Sequence, residues 1–75
     1  MKETRIKLLV KRTSVEQVTD ICLDSGSHNI DFSPTSGQGV VCHASFHVET
    51  LNQMERLLAA VELLRKFTDR EIVLV

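Results

Sequence analysis

With 75 residues, of which 43% are apolar and 25% charged, the chain is long enough for one globular domain, residues 1–75, and too short for two. Nine Lys and Arg against ten Asp and Glu give a formal net charge of −1, which excludes an overall basic field that would attract nucleic acid or an anionic membrane. No apolar run approaches the ~20 residues of a membrane-spanning helix, and residues 1–4 lack the apolar core of a signal peptide, so we expect a cytoplasmic protein with no membrane partner.

The first predicted elements are a strand over residues 5–11 and the helix that follows it. Apolar and polar residues alternate along the strand with a period of two, as in a strand with one face buried. A helix start is predicted by two pairs with the spacing of a capping box, Thr13–Glu16 and Ser14–Gln17. Apolar residues then recur at every third or fourth position up to Gly26, which can adopt the left-handed conformation that closes a helix.

A β-hairpin is predicted next, with strands over residues 29–33 and 40–49. Residues 34–39 between them include Pro34 and two glycines, which favour a turn. A second helix follows, with Thr50 and Gln53 at capping-box spacing and an apolar face that extends to Phe67. The last predicted strand covers residues 71–75.

The resulting order is strand, helix, strand, strand, helix, strand, which is the split βαβ order of a ferredoxin-like α+β sandwich. Right-handed connections then place both helices on one face of a four-stranded antiparallel sheet, with the first and third strands at its centre. The last strand lies at an edge, and residues 72–75 carry no charge to protect that edge from pairing. Since the core of so short a chain is small, we expect a homodimer.

The sequence contains no signature of catalysis, metal binding or cofactor binding. His43 and His47 lie on one predicted strand about 13 Å apart, so this pair alone cannot ligate one metal ion, and a site would need Asp31 or His28 brought across from the neighbouring strand. Cys22 and Cys42 fall on apolar rows, where a cysteine acts as a small hydrophobic residue. Nucleophile elbows, phosphate loops and paired carboxylates are absent from the sequence, so we expect no catalytic residues, no metal, no cofactor and no enzyme activity.

The strongest candidate site is the Lys11-Arg12-Thr13-Ser14 segment, between the first strand and the first helix. Free backbone N–H groups at a helix N-terminus favour an anion, and two cations with two hydroxyls add to this. The segment can therefore bind a small carboxylate or phosphate. Alternatively, Thr13 and Ser14 cap the helix while Lys11 and Arg12 are solvated.

The helix-free face of the sheet is a second candidate surface. Asp31 and His43 share it and can pair there. RNA-binding sheets of this fold stack bases on aromatic side chains, but the chain has no Trp or Tyr and its three Phe lie on core rows, so we expect no nucleic-acid partner. The residues predicted on this face are Lys7, Leu9, Lys11, Asn29, Asp31, Ser33, Val41, His43, Ser45 and His47.

From residue 6 to residue 75 the chain resembles the ACT domain, a small regulatory module that often binds amino acids. The resemblance lies in Ser25-Gly26-Ser27-His28-Asn29-Ile30, and in residues 46–70 with Leu51, Leu57-Leu58 and Leu64-Arg65-Lys66. Paired ACT domains hold a ligand between the loop after the first strand and the start of the partner's second strand. By position, the resemblance implies a site formed by Arg12, Thr13 and Ser14 with Asn29 and Ile30. The chain departs from the family by lacking a glycine just before its first helix.

We therefore expect a non-enzymatic regulatory or small-ligand-binding module that acts as a homodimer. Its ligand would be an amino acid or another small carboxylate, held by residues Lys11, Arg12, Thr13, Ser14, Asn29 and Ile30. A purely dimerising ACT-like module fits the same sequence. The alternative from a different class is a protein–protein interaction adaptor that uses the open sheet face or the edge strand.

Overall fold

The computed structural model describes residues 2–75. Six main elements follow one another along the chain. One 3-10 turn precedes the first helix, and another follows the second. The strands are β1 (Glu3–Lys11), β2 (Ser27–Pro34), β3 (Gly39–His47) and β4 (Val73–Leu74). The helices are α1 (Val15–Asp24) and α2 (Leu51–Leu64), with 3-10 turns at Arg12–Ser14 and Arg65–Phe67. No helix within residues 2–75 is both long and apolar enough to cross a membrane.

The sheet has the order β2-β3-β1-β4, and every neighbouring pair is antiparallel. β1 pairs with β3 along its whole length, from Glu3 opposite His47 to Lys11 opposite Gly39. One core contains the buried residues of both helices together with alternate side chains of β1 and β3. Alternate side chains of a strand point to the same face of a sheet, so both helices lie on that face. The predicted ferredoxin-like sandwich, with the first and third strands central, is therefore confirmed.

The core is apolar and contains both cysteines. Its largest fully buried side chains are Ile6, Leu8, Val10, Val18, Cys22, Cys42, Leu57 and Leu64. Burying an aliphatic side chain of this size stabilises the fold by about 1.5–3 kcal/mol. The hydrogen bond to Cys22, together with burial, raises the pKa of the Cys42 thiol, so this thiol stays protonated. The prediction that both cysteines pack in the core is confirmed.

The two helices begin in different ways, and one of the predictions was wrong. At α2 the predicted capping box is present, since Thr50 Oγ1 accepts the Gln53 N–H at 3.2 Å and Gln53 Oε1 accepts the Thr50 N–H at 3.1 Å. At α1 no side chain caps the helix. Ser14 has φ −103° and ψ 1° instead of the extended backbone of an N-cap, because the 3-10 turn leads directly from β1 into the helix.

The boundaries of several elements also differ from the prediction. Gly26, at φ +92°, closes α1 as expected, but β2 then starts at Ser27, two residues earlier than predicted. β4 is shorter than predicted, although Val75 still exchanges two backbone hydrogen bonds with Arg5, at 2.8 and 3.1 Å. The last strand nevertheless lies at the predicted edge of the sheet.

Candidate functional site

A cleft of about 920 Å³ opens at the end of the sheet where β1 finishes. Three segments form its walls: residues 9–14 at the junction of β1 and α1, residues 37–39 where the β2–β3 loop enters β3, and residues 66–70 after α2. We call it the β1-end cleft. The order of the fold explains why these segments meet, because β1 and β2 run in the same direction and α2 returns the chain to the end where they finish.

The loop that forms one wall of the β1-end cleft is fixed by Thr35 and by close packing at Gly39. The Thr35 hydroxyl donates to the Gly39 carbonyl at 2.8 Å and accepts the Gly37 N–H at 3.2 Å. A Cβ atom at Gly39 would lie 3.0 Å from both the Val10 carbonyl oxygen and Leu9 Cδ1, so any other residue here would require β1 to shift by a few tenths of an ångström.

The charge of the β1-end cleft is strongly one-sided. Four of the described residues that line it are cations: Lys11, Arg12, Lys66 and Arg70. Asp69 is the one carboxylate that lines it within residues 2–75. All four cations are exposed, and none takes part in an ion pair in the part of the chain that the structure describes. The arrangement favours an anionic ligand.

Hydroxyls and apolar side chains complete the lining of the β1-end cleft. Thr13, Ser14 and Thr68 supply hydroxyl groups, while Leu9 and Phe67 are half-buried and supply apolar surface. Thr68 also fixes the turn after α2, since its Oγ1 accepts the Arg70 N–H at 3.3 Å. The cleft therefore offers cations and hydrogen-bond donors beside an apolar surface, the usual composition of a small-ligand site.

The structure brings together four of the six residues predicted to bind a ligand. Lys11, Arg12, Thr13 and Ser14 all line the β1-end cleft. Asn29 and Ile30 lie near the start of β2, opposite Ser45 and Ala44 on β3, at the other end of the sheet. Within one chain these two residues are outside the cleft. Their predicted part in a site shared with a second copy stays a prediction.

Sequence reasoning missed the two other walls of the β1-end cleft. Lys66 and Arg70 are more than fifty positions away from Lys11 along the chain, so no local motif links them. The predicted topology contained the necessary signal, because a βαββαβ sandwich places the end of its second helix beside the end of its first strand.

A second polar cluster occupies the opposite end of the open face. The rings of His28 and His47 stack with centroids 4.0 Å apart and an interplanar angle of 14°. Glu3 Oε1 lies 4.0 Å from His28 Nε2, and the hydrogen bond from Arg5 Nε, at 3.4 Å, lowers the pKa of the Glu3 carboxyl. Residues 2–75 contain no group of three or more His, Cys, Asp or Glu side chains placed to hold a metal ion.

A β-bulge creates this histidine pair. The register of β2 against β3 shifts between Ser27 and Asn29, and the single hydroxyl proton of Ser27 is shared between the carbonyls of Asn29 and Ser45, at 2.8 and 3.0 Å from Oγ. The extra residue, His28, thereby reaches the ring of His47.

Elsewhere on the open face, the predicted neighbours Asp31 and His43 do lie directly opposite each other on β2 and β3. The described residues show no ion pair between them. Ser45 also differs from the expectation of an exposed side chain. It is buried in the middle of the sheet, with Arg5 opposite it on one neighbouring strand and Asn29 on the other.

No family model and no curated protein matches the sequence significantly. Solved structures with similar folds include the following three. The C-terminal domain of the MgtC protein from Mycobacterium tuberculosis is 14% identical, with a TM-score of 0.70 over 97% of this chain and 84% of that chain. A proposed antibiotic biosynthesis monooxygenase from Nitrosomonas europaea is 11% identical, with a TM-score of 0.52 over 97% of this chain and 84% of that one. Rv0793 from Mycobacterium tuberculosis is 9% identical, with a TM-score of 0.50 over 99% and 91%.

At these identities the likeness establishes the fold alone. The chain is an α+β domain of the ferredoxin-like fold, with a four-stranded antiparallel sheet and two helices. Its fold neighbours include both a domain of a larger protein and an enzyme-like protein, so its function has to be argued from its own residues.

Proposed function

We propose that the chain is a non-enzymatic, ACT-like regulatory module that binds a small anion in the β1-end cleft and acts as a homodimer. The observation that carries this proposal is the charge of the cleft, in which four cations from two separate segments face a single carboxylate within the described residues. The cleft volume of about 920 Å³ lies in the range of about 300–1,000 Å³ typical of small-molecule sites.

Arg12 is the residue best suited to hold an anionic group of the ligand. Its planar guanidinium can donate two parallel hydrogen bonds to a carboxylate or phosphate, a geometry that lysine cannot offer. The 3-10 turn at Arg12–Ser14 places it beside the hydroxyls of Thr13 and Ser14. These hydroxyls are not engaged in capping α1 and can serve as donors to the ligand.

Substituting Arg12 tests the proposed site. Arg12→Ala should lower the affinity for citrate about ten- to a hundredfold in a calorimetric titration, because it removes a charge-assisted hydrogen bond worth about 1.5–3 kcal/mol. The melting temperature should stay unchanged, since the Arg12 side chain is exposed. Lys7→Ala, an exposed cation on β1 outside the cleft, is the matched control and should bind as the wild type does. An unchanged affinity of the Arg12 variant would remove this site.

The proposed homodimer rests on the edge strand. Val73, Leu74 and Val75 are 50%, 47% and 80% exposed at the border of the sheet, where β4 is paired on one side only, with β1. An exposed apolar edge of this kind is either covered or paired in a stable protein. A second copy can pair there and extend the sheet across both protomers.

Light scattering at micromolar concentration should therefore give the mass of a dimer. Val73→Lys should give a monomer, because a charge on the border opposes pairing of two copies. Lys7→Ala keeps the wild-type border and should remain dimeric. A monomeric wild-type chain would contradict the homodimer and favour the second candidate, an adaptor whose exposed edge pairs with a different protein.

A further inference from the structure

We infer that the ligand of the β1-end cleft is a small polyanion, with two or more negative charges and no ammonium group, and that Lys66 and Arg70 form its second anion-binding subsite. This inference rests on the proposed function and names the class of ligand. The inferred ligand differs from the amino acids that the resemblance to ACT domains implies.

The first argument is the balance of charge. Lys11 and Arg12 line the cleft from the β1–α1 junction, and Lys66 and Arg70 line it from the turn after α2. A ligand with a single carboxylate can bind one of these two pairs of cations, and the other pair is left without an anionic partner. A ligand with two anionic groups can engage both pairs at once, and so gains from each.

The second argument is the scarcity of acceptors for a cation. A zwitterionic amino acid carries an ammonium group, and sites for it need carboxylates or carbonyls close by. Asp69 is the one carboxylate among the described residues of the cleft lining, and the cation Arg70 directly follows it. An ammonium group placed in this cleft would lie among four positive side chains, and like charges at close range oppose binding.

The third argument is that the second subsite is built into an ordered turn. The Thr68 hydroxyl accepts the Arg70 N–H at 3.3 Å, which ties the two ends of the turn together. Phe67 packs its ring partly against the core while also lining the cleft. The backbone that carries Lys66 and Arg70 is therefore held against the cleft.

The experiment compares anions of different charge on the wild-type chain by calorimetric titration at low salt. The probes are citrate, pyrophosphate, acetate and leucine. Citrate or pyrophosphate should bind at least about tenfold more tightly than acetate or leucine, and a higher salt concentration should weaken polyanion binding, because the cations are exposed and screened. Tight binding of citrate indicates a polycarboxylate, and tight binding of pyrophosphate indicates a phosphate ester or phosphoanhydride.

The double variant Lys66→Gln/Arg70→Gln tests the second subsite. It should lower polyanion affinity about tenfold while changing acetate affinity less than about twofold. Arg65→Gln, the exposed neighbour of Lys66 that does not line the cleft, is the matched control and should keep wild-type affinity. All variants should melt at the wild-type temperature, since each replaced side chain is exposed.

The outcomes separate this inference from the proposed function. Leucine binding as tightly as citrate, with affinity lost in Arg12→Ala, would overturn the polyanion while leaving the cleft as a ligand site. Polyanion binding that is unaffected by the double variant would overturn the second subsite. If none of the four probes binds, the proposed function fails together with the inference.

Discussion

Leu64→Ala should lower the free energy of unfolding by about 2–5 kcal/mol, the usual cost of removing a large aliphatic side chain from a core. Leu64 is the last residue of α2, and its side chain is 0% exposed. Domains of this length are stable by about 4–11 kcal/mol in total, so the substitution should remove a large part of the stability. Urea denaturation followed by circular dichroism measures the change.

Leu63→Ala is the matched control for this substitution. Leu63 is the preceding residue of the same helix, yet it is 47% exposed. Both variants change helix propensity equally, so the difference between them isolates burial. The control should lose less than about 1 kcal/mol. Equal losses in the two variants would mean that α2 packs on the sheet through a different face.

Ser27→Ala should lower the free energy of unfolding by about 1–3 kcal/mol. The Ser27 hydroxyl lies in the sheet and shares its one proton between the carbonyls of Asn29 and Ser45, so alanine removes this donor from the buried site. The same bonds hold the β-bulge that brings His28 onto His47. We therefore expect the imidazole resonances of both histidines to move in nuclear magnetic resonance spectra of the variant.

Ser33→Ala supplies the comparison for Ser27. Ser33 lies on the same strand, where it is exposed and pairs with Val41 in regular register. Its substitution should change stability by less than about 0.5 kcal/mol and leave both histidine signals in place. Unmoved histidine signals in Ser27→Ala would show that the bulge depends on backbone pairing and not on this hydroxyl.

The fold was predictable because most of its determinants are local. Alternation in β1 places Ile6, Leu8 and Val10 on one face, and all three are buried. Capping chemistry at Thr50 marks the start of α2 correctly. The same spacing predicted a capping box at Ser14 that does not form. An N-cap residue needs extended backbone, and here a 3-10 turn leads directly from β1 into α1.

The β-bulge at Ser27 was not predictable from alternation. A bulge inserts one residue into one strand, so the side chains beyond it change their phase relative to the neighbouring strand. The predicted strand began at Asn29, after the bulge, and its alternation was correct from there. His28 therefore fell outside the predicted strand, and its contact with His47 went unseen.

Only the part of the candidate site that is contiguous in sequence was predicted. Lys11 to Ser14 are contiguous, and the chemistry of a cationic segment before a helix is visible in sequence. Lys66 and Arg70 join them only through the packing of α2 across the sheet, which depends on long-range topology. Asn29 and Ile30 came from the ACT resemblance, and they belong to a different end of the molecule unless a second copy supplies them.

The position of β1 in the sheet affects the time at which this domain folds during its own synthesis. Of the four strands of this sheet β1 is synthesised first, yet its hydrogen-bonded neighbours are β3 and β4, the third and fourth of these strands in chain order. Until then only α1 and the β2–β3 hairpin can form from nearby residues, and β1 has no neighbour to pair with. Closing such long loops is slow. We therefore expect the nascent domain to remain open until almost all of its residues, including β3, have emerged from the ribosome.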